Sequence, residues 1–347
     1  MSVDVQKLLE PVSADAPCGP TLAYDPEYLA LEEAAKGTPE RQAGDKVLPA
    51  EDPDWSDVRD RALALAKRTK DLRIVLFLTV GETRVSGITG LRDGLTLLKE
   101  TLTRYWDTLH PQLDPADNND PTERMNIVAS VAAPPDTFGD PLAVQRRVIE
   151  APLTPTSKVG KFSFRDVKTA AGELPPLTPD AKPPDAKLID AAFTDVPIED
   201  LKATGAAIEE SVAAVKEIDR LLTDKVGPGK APDLTRFVTL LGSIATLLQT
   251  HLARRGVGSA PGSGAAAGGA GGGVRMGGEL LGIQDVQVAL DMVCRYYERY
   301  EVSSPVPLLV KGAQRLVSQS FVEIAKVLTP DTIDRLKELA GLKDEQR

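Results

Sequence analysis

A long run of apolar residues between positions 88 and 109 follows the period of an α-helix. Its members recur at alternating spacings of three and four: Ile88, Leu91, Leu95, Leu98, Leu102, Tyr105 and Leu109. A strand would need a spacing of two, so this pattern predicts a helix that ends at His110-Pro111. Its apolar face fits either a core helix of a bundle or a coiled-coil contact with another chain.

The same period recurs on both sides of this segment. Helices are predicted after Asp54, whose side chain can cap a helix start, and from Asp71 to about Thr83. A middle pair is predicted from about Thr204 to Lys225 and from Asp233 or Thr235 onward. Between Val148 and Val167, alternation around Phe162 and Phe164 predicts instead a small β-hairpin.

Two composition changes divide the chain. Residues 256–278 contain 11 glycines among 23 residues, which is typical of a flexible linker. Residues 174–187 contain five prolines and mark a softer boundary. The predicted organisation is an N-terminal domain (1–175), a middle helical region (190–255), the Gly-rich linker (256–278) and a C-terminal domain (279–347).

The C-terminal domain is predicted to contain three further apolar helical stripes, which begin near Ile283, Leu309 and Ile333. Such a small unit rarely gains more than about 3–5 kcal/mol from its core. It has one cysteine and no metal-ligand cluster, so oligomerisation is the remaining way to stabilise it. The sequence therefore predicts a mainly α-helical protein with a small all-helical oligomerisation domain after the linker.

Composition restricts the classes of function. The 347 residues carry a net charge of −10 and only 4% aromatic residues, which argues against a nucleic-acid binder. The longest apolar run, Ile74–Leu78, is far shorter than the ~20 residues of a membrane span, and the first residues lack a secretory pattern. Cys18 and Cys294 imply no disulfide framework, so a cytoplasmic location is expected.

The sequence offers little reactive chemistry. His110 and His251 stand far apart, without zinc spacing, and His110 is expected to cap a helix end. Gly227-Pro228-Gly229-Lys230 lacks the spacing of a phosphate loop, and the acidic segment 114–123 lacks the order of a calcium loop. No catalytic residue, cofactor or metal is predicted, and the chain is not expected to be an enzyme.

Several strings in the first 175 residues form a recognisable series. They are PVSADAPCGPTLAYDPEY from Pro11, Asp54-Trp55, RTKDLRIVLFLT from Arg68, SGITGLRDGLTLL from Ser86, YWDTLHPQLDP from Tyr105, the pair Arg124 and Asn126, and KVGKFSFRDVKTAAGE from Lys158. This region resembles the ImpA N-terminal domain of the TssA family of bacterial type VI secretion systems. The C-terminal run from Glu301 to Leu309 is similar to the shorter TssA proteins, with departures at Val302 and Gly312.

The resemblance implies a non-enzymatic, cytoplasmic component of a contractile secretion machine. Members form multimeric rings through the C-terminal domain, and they contact the baseplate, inner tube and sheath while these assemble. An alternative within the system is a cap or polymerisation factor at the distal sheath end. A remote alternative is a carboxylate-dependent hydrolase, for which Asp54, Asp71, Asp93 and Glu82 are the candidate acids.

The resemblance also directs attention to particular residues. Lys70, Asp71 and Arg73 are expected to fix a helix start by charge-assisted hydrogen bonds. Trp55, Leu72, Leu91, Leu95 and Trp106 are expected in the core, although either tryptophan could instead face a partner, and the family motif adds Gly87, Gly90 and Gly94. The expected multimer interface comprises Tyr296, Tyr297, Tyr300, Pro305, Leu308, Leu309, Leu316 and Phe321.

Overall fold

The chain divides into two compact units, Met1–Ala265 and Ala266–Arg347. The computed structural model describes residues 3–38, 41–43, 46–48, 51–135, 137, 140–176 and 181–257, with the helical residues Leu290, Cys294, Val310 and Lys311. The eight residues expected at the multimer interface lie outside the described residues, as does most of the predicted linker.

The described part of the first unit is built almost entirely from helices, which confirms the predicted mainly α-helical class. The helices are α1 (Val5–Leu8), α2 (Pro26–Ala34), α3 (Trp55–Ala66), α4 (Leu72–Ser86), α5 (Ile88–Tyr105), α6 (Thr122–Ala129), α7 (Val144–Glu150), α8 (Phe164–Ala170), α9 (Ala186–Asp195), α10 (Ile198–Val226) and α11 (Thr235–Arg254). Short 3-10 turns lie at Pro115–Asp117 and Ser130–Ala132.

Aspartate side chains begin many of these helices. Asp4, Asp25, Asp54, Asp71 and Asp185 each accept a hydrogen bond from a backbone N–H in the first turn of α1, α2, α3, α4 and α9. These N–H groups have no partner within the helix, and an aspartate at this position also complements the helix dipole. The starts of α3 and α4 therefore follow from local sequence, as predicted.

The predicted β-hairpin is wrong in position. Residues 148–167 contain the end of α7, a single antiparallel bridge between Pro152 and Ser163, and the start of α8. Ser163 and Asp166 form a capping box that turns the chain into a helix at Phe164, so the Phe162–Phe164 alternation precedes a helix start. The hairpin of this domain pairs β1 (Arg41–Ala43) with β2 (Lys46–Leu48), antiparallel, with Gln42 opposite Val47.

Helix α4 is the centre of the core. It packs between α3 and α5, and its residues from Ile74 to Val80 are all buried. Small residues allow this close approach: a Cβ at Gly94 of α5 would lie 2.6 Å from Thr79 Oγ1, and one at Gly81 would lie 2.9 Å from the Cα of Arg59. The three helices are thus held at a spacing that larger side chains could not adopt.

The apolar seam of α5 is buried within this chain. Leu91, Leu95, Leu98 and Leu102 are fully buried, and α5 packs on α4 along one face and on the 29-residue α10 along another. Helix α11 in turn packs antiparallel to its neighbour α10 across the Gly227–Gly229 turn. The core-helix interpretation of the seam therefore holds, and the middle helical pair completes the core of the N-terminal unit.

Candidate functional site

The start of α4 carries the most concentrated polar chemistry of the recognised strings. Asp71 is buried, and its carboxylate accepts hydrogen bonds from Arg73 N at 2.9 Å, Arg73 Nε at 3.0 Å and Arg73 Nη2 at 2.7 Å. These bonds hold the pKa of Arg73 above its usual range. The Arg73 guanidinium also lies over the ring of Tyr28, 5.2 Å from its centre, so a cation–π contact links α4 to α2.

Lys70 connects three separate segments. Its Nζ donates to the carbonyl oxygen of Leu8 at 2.7 Å, and its backbone N–H donates to that of Cys18 at 2.8 Å. Its own carbonyl oxygen accepts from the backbone N–H of His110 at 2.9 Å, while Leu72 N donates to His110 O at 3.0 Å. Because the ammonium is buried, its pKa is lowered.

Arg124 binds the backbone next to His110, on the segment that follows α5. It is 1% exposed, and its guanidinium donates from Nε to Pro111 O at 2.7 Å, from Nη2 to Leu109 O at 2.8 Å and from Nη1 to Trp106 O. These carbonyls belong to the segment that follows α5, so Arg124 supplies donors to buried backbone acceptors that lie outside any helix. Burial lowers the pKa of Arg124 to about 10.

We call Lys70, Asp71, Arg73, His110 and Arg124 the α4–α5 node. His110 was expected to cap a helix end, but its Nε2 is hydrogen-bonded to Gly19 O at 2.9 Å, and Arg124 contacts the carbonyls after α5. In the sequence, Arg124 stands out only as half of the Arg124 and Asn126 pair that the TssA family shares, and this pair predicts no role for it. Its partners lie 13 to 18 positions earlier in the chain, so no local pattern indicates them.

The four candidate acids of the hydrolase alternative have other partners. Asp54 and Asp71 cap α3 and α4, and Asp93 pairs with Arg92 at 2.8 Å. Glu82 is 1% exposed, accepts from Ser86 Oγ at 2.9 Å and lies 3.9 Å from Arg59 Nε. Burial raises the pKa of Glu82; the hydrogen bond from Ser86 and the charge of Arg59 oppose this rise, and the charge of Asp93 adds to it. The structure brings Glu82 near Asp93 alone and leaves Asp54 and Asp71 at separate helix starts.

All five residues predicted to lie in the core are buried. Leu72, Leu91 and Leu95 are fully buried, and Trp55 and Trp106 are 6% and 7% exposed. The ring of Trp55 lies beneath the guanidinium of Arg147, and that of Trp106 lies beneath Arg124. Gly87 joins α4 to α5 with a φ of +67°, and Gly90 and Gly94 face α4 directly.

The described residues offer neither a metal-ligand cluster nor a membrane-spanning helix. Across these residues, no group of three or more His, Cys, Asp or Glu side chains is placed to hold a metal ion. Within the same part of the chain, none of the helices combines the length and the apolar character needed to span a bilayer.

Three comparisons with known proteins agree with this architecture. Residues 9–133 match the family described as ImpA, N-terminal, type VI secretion system. The chain is 36% identical over 358 positions to the type VI secretion system component TssA1 of Pseudomonas aeruginosa, covering 99% of this chain and 100% of that protein. Its fold resembles the N-terminal domain, including the conserved ImpA_N region, of the TssA component from Burkholderia cenocepacia, with a TM-score of 0.58 and 25% identity over 74% of this chain and 97% of that one.

The fold and the node define a helical domain in which Lys70, His110 and Arg124 bind backbone carbonyl oxygens of their own chain. Together with the similarity over the full length, this identifies a component of type VI secretion. The chain belongs to the TssA family.

Proposed function

We propose that this protein is a cytoplasmic assembly factor that forms a multimeric ring through residues 279–347 and organises the baseplate, inner tube and sheath. The observation that carries the proposal is the 36% identity to TssA1, which extends over 99% of the chain and therefore includes the linker and the C-terminal domain. A structural role agrees with the α4–α5 node, in which Lys70, His110 and Arg124 bind carbonyl oxygens of their own chain.

The Gly-rich linker sets how far the N-terminal unit can reach from the proposed ring. As a random coil, its 23 residues span about 26 Å root mean square, and about 78 Å when fully stretched. A compact N-terminal unit on such a tether can reach a partner without moving the ring. We therefore assign multimer formation to 279–347 and partner contacts to the N-terminal unit.

The native masses of the full-length chain, of residues 1–255 and of residues 279–347 test this division. We expect one discrete multimer for the full chain and for 279–347, and a monomer or dimer for 1–255. A folded, monomeric 279–347 would contradict the ring. Imaging the labelled protein in cells then separates a focus that stays at the baseplate from one that moves with the distal sheath end, the alternative role.

A single substitution in the full chain tests the same interface. Leu309→Asp places a charge among the apolar residues expected to join the subunits, so the multimer should dissociate. The matched control is Leu188→Asp on α9, where the leucine is 48% exposed. We expect native mass spectrometry to show smaller species for Leu309→Asp only, and equal dissociation of both variants would argue against a specific interface.

A further inference from the structure

A cleft of about 700 Å³ lies apart from the α4–α5 node. Its walls come from residues 35–38 and 51–53 on either side of the β-hairpin, from Arg84 at the end of α4, and from 140–150 and 163–166 around α7 and α8. Five basic and five acidic side chains line it. This volume lies within the range of ordinary ligand clefts, roughly 300–1,000 Å³.

Arg147 is the most deeply buried cation of this cleft, which we call the arginine cleft. The residue is only 5% exposed, and its guanidinium lies 4.7 Å from the ring centre of Trp55. Its Nη1 donates to both carboxylate oxygens of Asp52, at 3.0 and 2.9 Å, while its buried Nε has no partner among the described groups. The pair therefore lacks the bidentate geometry in which two guanidinium nitrogens meet two carboxylate oxygens.

The neighbouring arginines are also incompletely paired. Arg84 reaches Asp52 Oδ2 at 3.4 Å and Glu150 Oε2 at 3.8 Å, both long contacts. Among the described residues, seven buried side-chain nitrogen or oxygen atoms lack a partner, and four of them belong to cleft residues: Arg84 Nε, Arg147 Nε, Arg165 Nε and Asp140 Oδ2. Unpartnered buried polar atoms are uncommon, so the four in this cleft mark hydrogen-bonding capacity that the fold itself does not use.

Asp52 is the exchangeable partner of this arrangement. Its side chain is 46% exposed, whereas that of Arg147 is 7% exposed. An incoming carboxylate could therefore replace Asp52 while the arginine stays in place. We propose that the arginine cleft binds an acidic peptide segment of a partner protein, with one of its carboxylates paired to Arg147 and Arg84.

The lining residues favour a carboxylate over a phosphate or another polyanion. Glu51, Asp52, Asp140, Glu150 and Asp166 surround the arginines, so a group of high negative charge would be repelled. A singly charged carboxylate that replaces Asp52 leaves the local charge balance nearly unchanged. All the lining residues lie between positions 35 and 166, so binding here does not depend on ring formation.

Fluorescence anisotropy with the full-length protein tests the proposal. The probe is a fluorescein-labelled Gly-Ser-Ala-Glu-Ala-Ser-Gly peptide with blocked ends, and its control carries Gln in place of the single Glu. We expect saturable binding of the acidic peptide and at least about tenfold weaker binding of the amide peptide. Equal binding of the two peptides would overturn the proposal.

Three variants locate the binding. Arg84→Gln should weaken the acidic peptide about fivefold, whereas Asp52→Asn should tighten it about threefold because the competing carboxylate is removed. Arg104→Gln is the matched control, since Arg104 is exposed and pairs with Glu100 outside the cleft. Weaker binding by Asp52→Asn, or an equal loss in Arg104→Gln, would overturn the proposal. So would displacement of the peptide by inorganic phosphate but not by acetate at equal ionic strength.

Discussion

Arg124 and Arg147 are both buried arginines over a tryptophan ring, yet their hydrogen bonds differ in kind. Arg124 donates from Nε, Nη1 and Nη2 to three backbone carbonyl oxygens. Arg147 donates from Nη1 alone to the half-exposed side chain of Asp52. Backbone acceptors belong to the fold and cannot be exchanged, whereas a side-chain carboxylate can be replaced by another. Arg124 therefore fixes structure, whereas Arg147 is suited to recognition.

Arg124→Leu should produce the largest effect, because it leaves three carbonyl groups in the protein interior without their donor. We expect the free energy of unfolding to fall by about 3–5 kcal/mol. Urea unfolding followed by tryptophan fluorescence measures it, since Trp55 and Trp106 both lie in the N-terminal unit. The exposed Arg104→Gln should cost less than about 0.5 kcal/mol. A similar small cost for Arg124→Leu would mean that the node does not stabilise the fold.

The sequence could predict the features that depend on residues close together in the chain. Asp54 and Asp71 were recognisable as helix starts because a cap binds an N–H only two or three residues away. The α5 seam was recognisable because its period is sustained over many turns. The hairpin around Phe162 and Phe164 was wrong because so short an alternation also occurs where a loop enters a helix.

The arginine cleft could not be predicted in the same way. Asp52 and Arg147 are 95 positions apart, and the hairpin between Thr38 and Glu51 brings the acidic wall to the arginine. The local sequence around Arg146-Arg147 indicates only basic charge in the last turn of a short helix. Its burial, its single engaged nitrogen and its exchangeable partner depend on tertiary packing.

Changing the spacing between α4 and α5 should cause the second largest loss in the free energy of unfolding. Gly94→Ala would place a Cβ 2.6 Å from Thr79 Oγ1, so α4 and α5 must separate or rotate. We expect a loss of about 1–3 kcal/mol in the free energy of unfolding. Gly242→Ala in α11 is the matched control, because no atom lies within 4 Å of its added Cβ. There alanine should stabilise the helix by about 0.5–1 kcal/mol. Effects of the same sign at both sites would contradict close packing at Gly94.

His251 is another buried basic residue, and its pKa is lowered rather than fixed by a charged partner. Its ring stacks on Phe193 with the ring centres 3.9 Å apart, and burial together with the nearby Arg254 lowers its pKa, against an opposing effect of Asp190. Below about pH 6.5 the unfolded chain therefore binds more protons than the folded one, so stability falls as the pH falls. The slope from this one group is at most about 1.4 kcal/mol per pH unit. His251→Phe should remove this component, measured as the difference from the unsubstituted chain between about pH 7.5 and 5.5.

Asp52→Asn should have the smallest effect on stability, in contrast to its effect on peptide binding. The carboxylate is half exposed, and an asparagine Oδ1 can still accept a hydrogen bond from Arg147 Nη1. We expect the free energy of unfolding to fall by less than about 1 kcal/mol, again by urea unfolding. A loss as large as that of Arg124→Leu would show that Asp52 is as fixed a partner as the backbone carbonyls. The two arginines would then have the same structural role, and a partner's carboxylate could not replace Asp52 without unfolding the cleft.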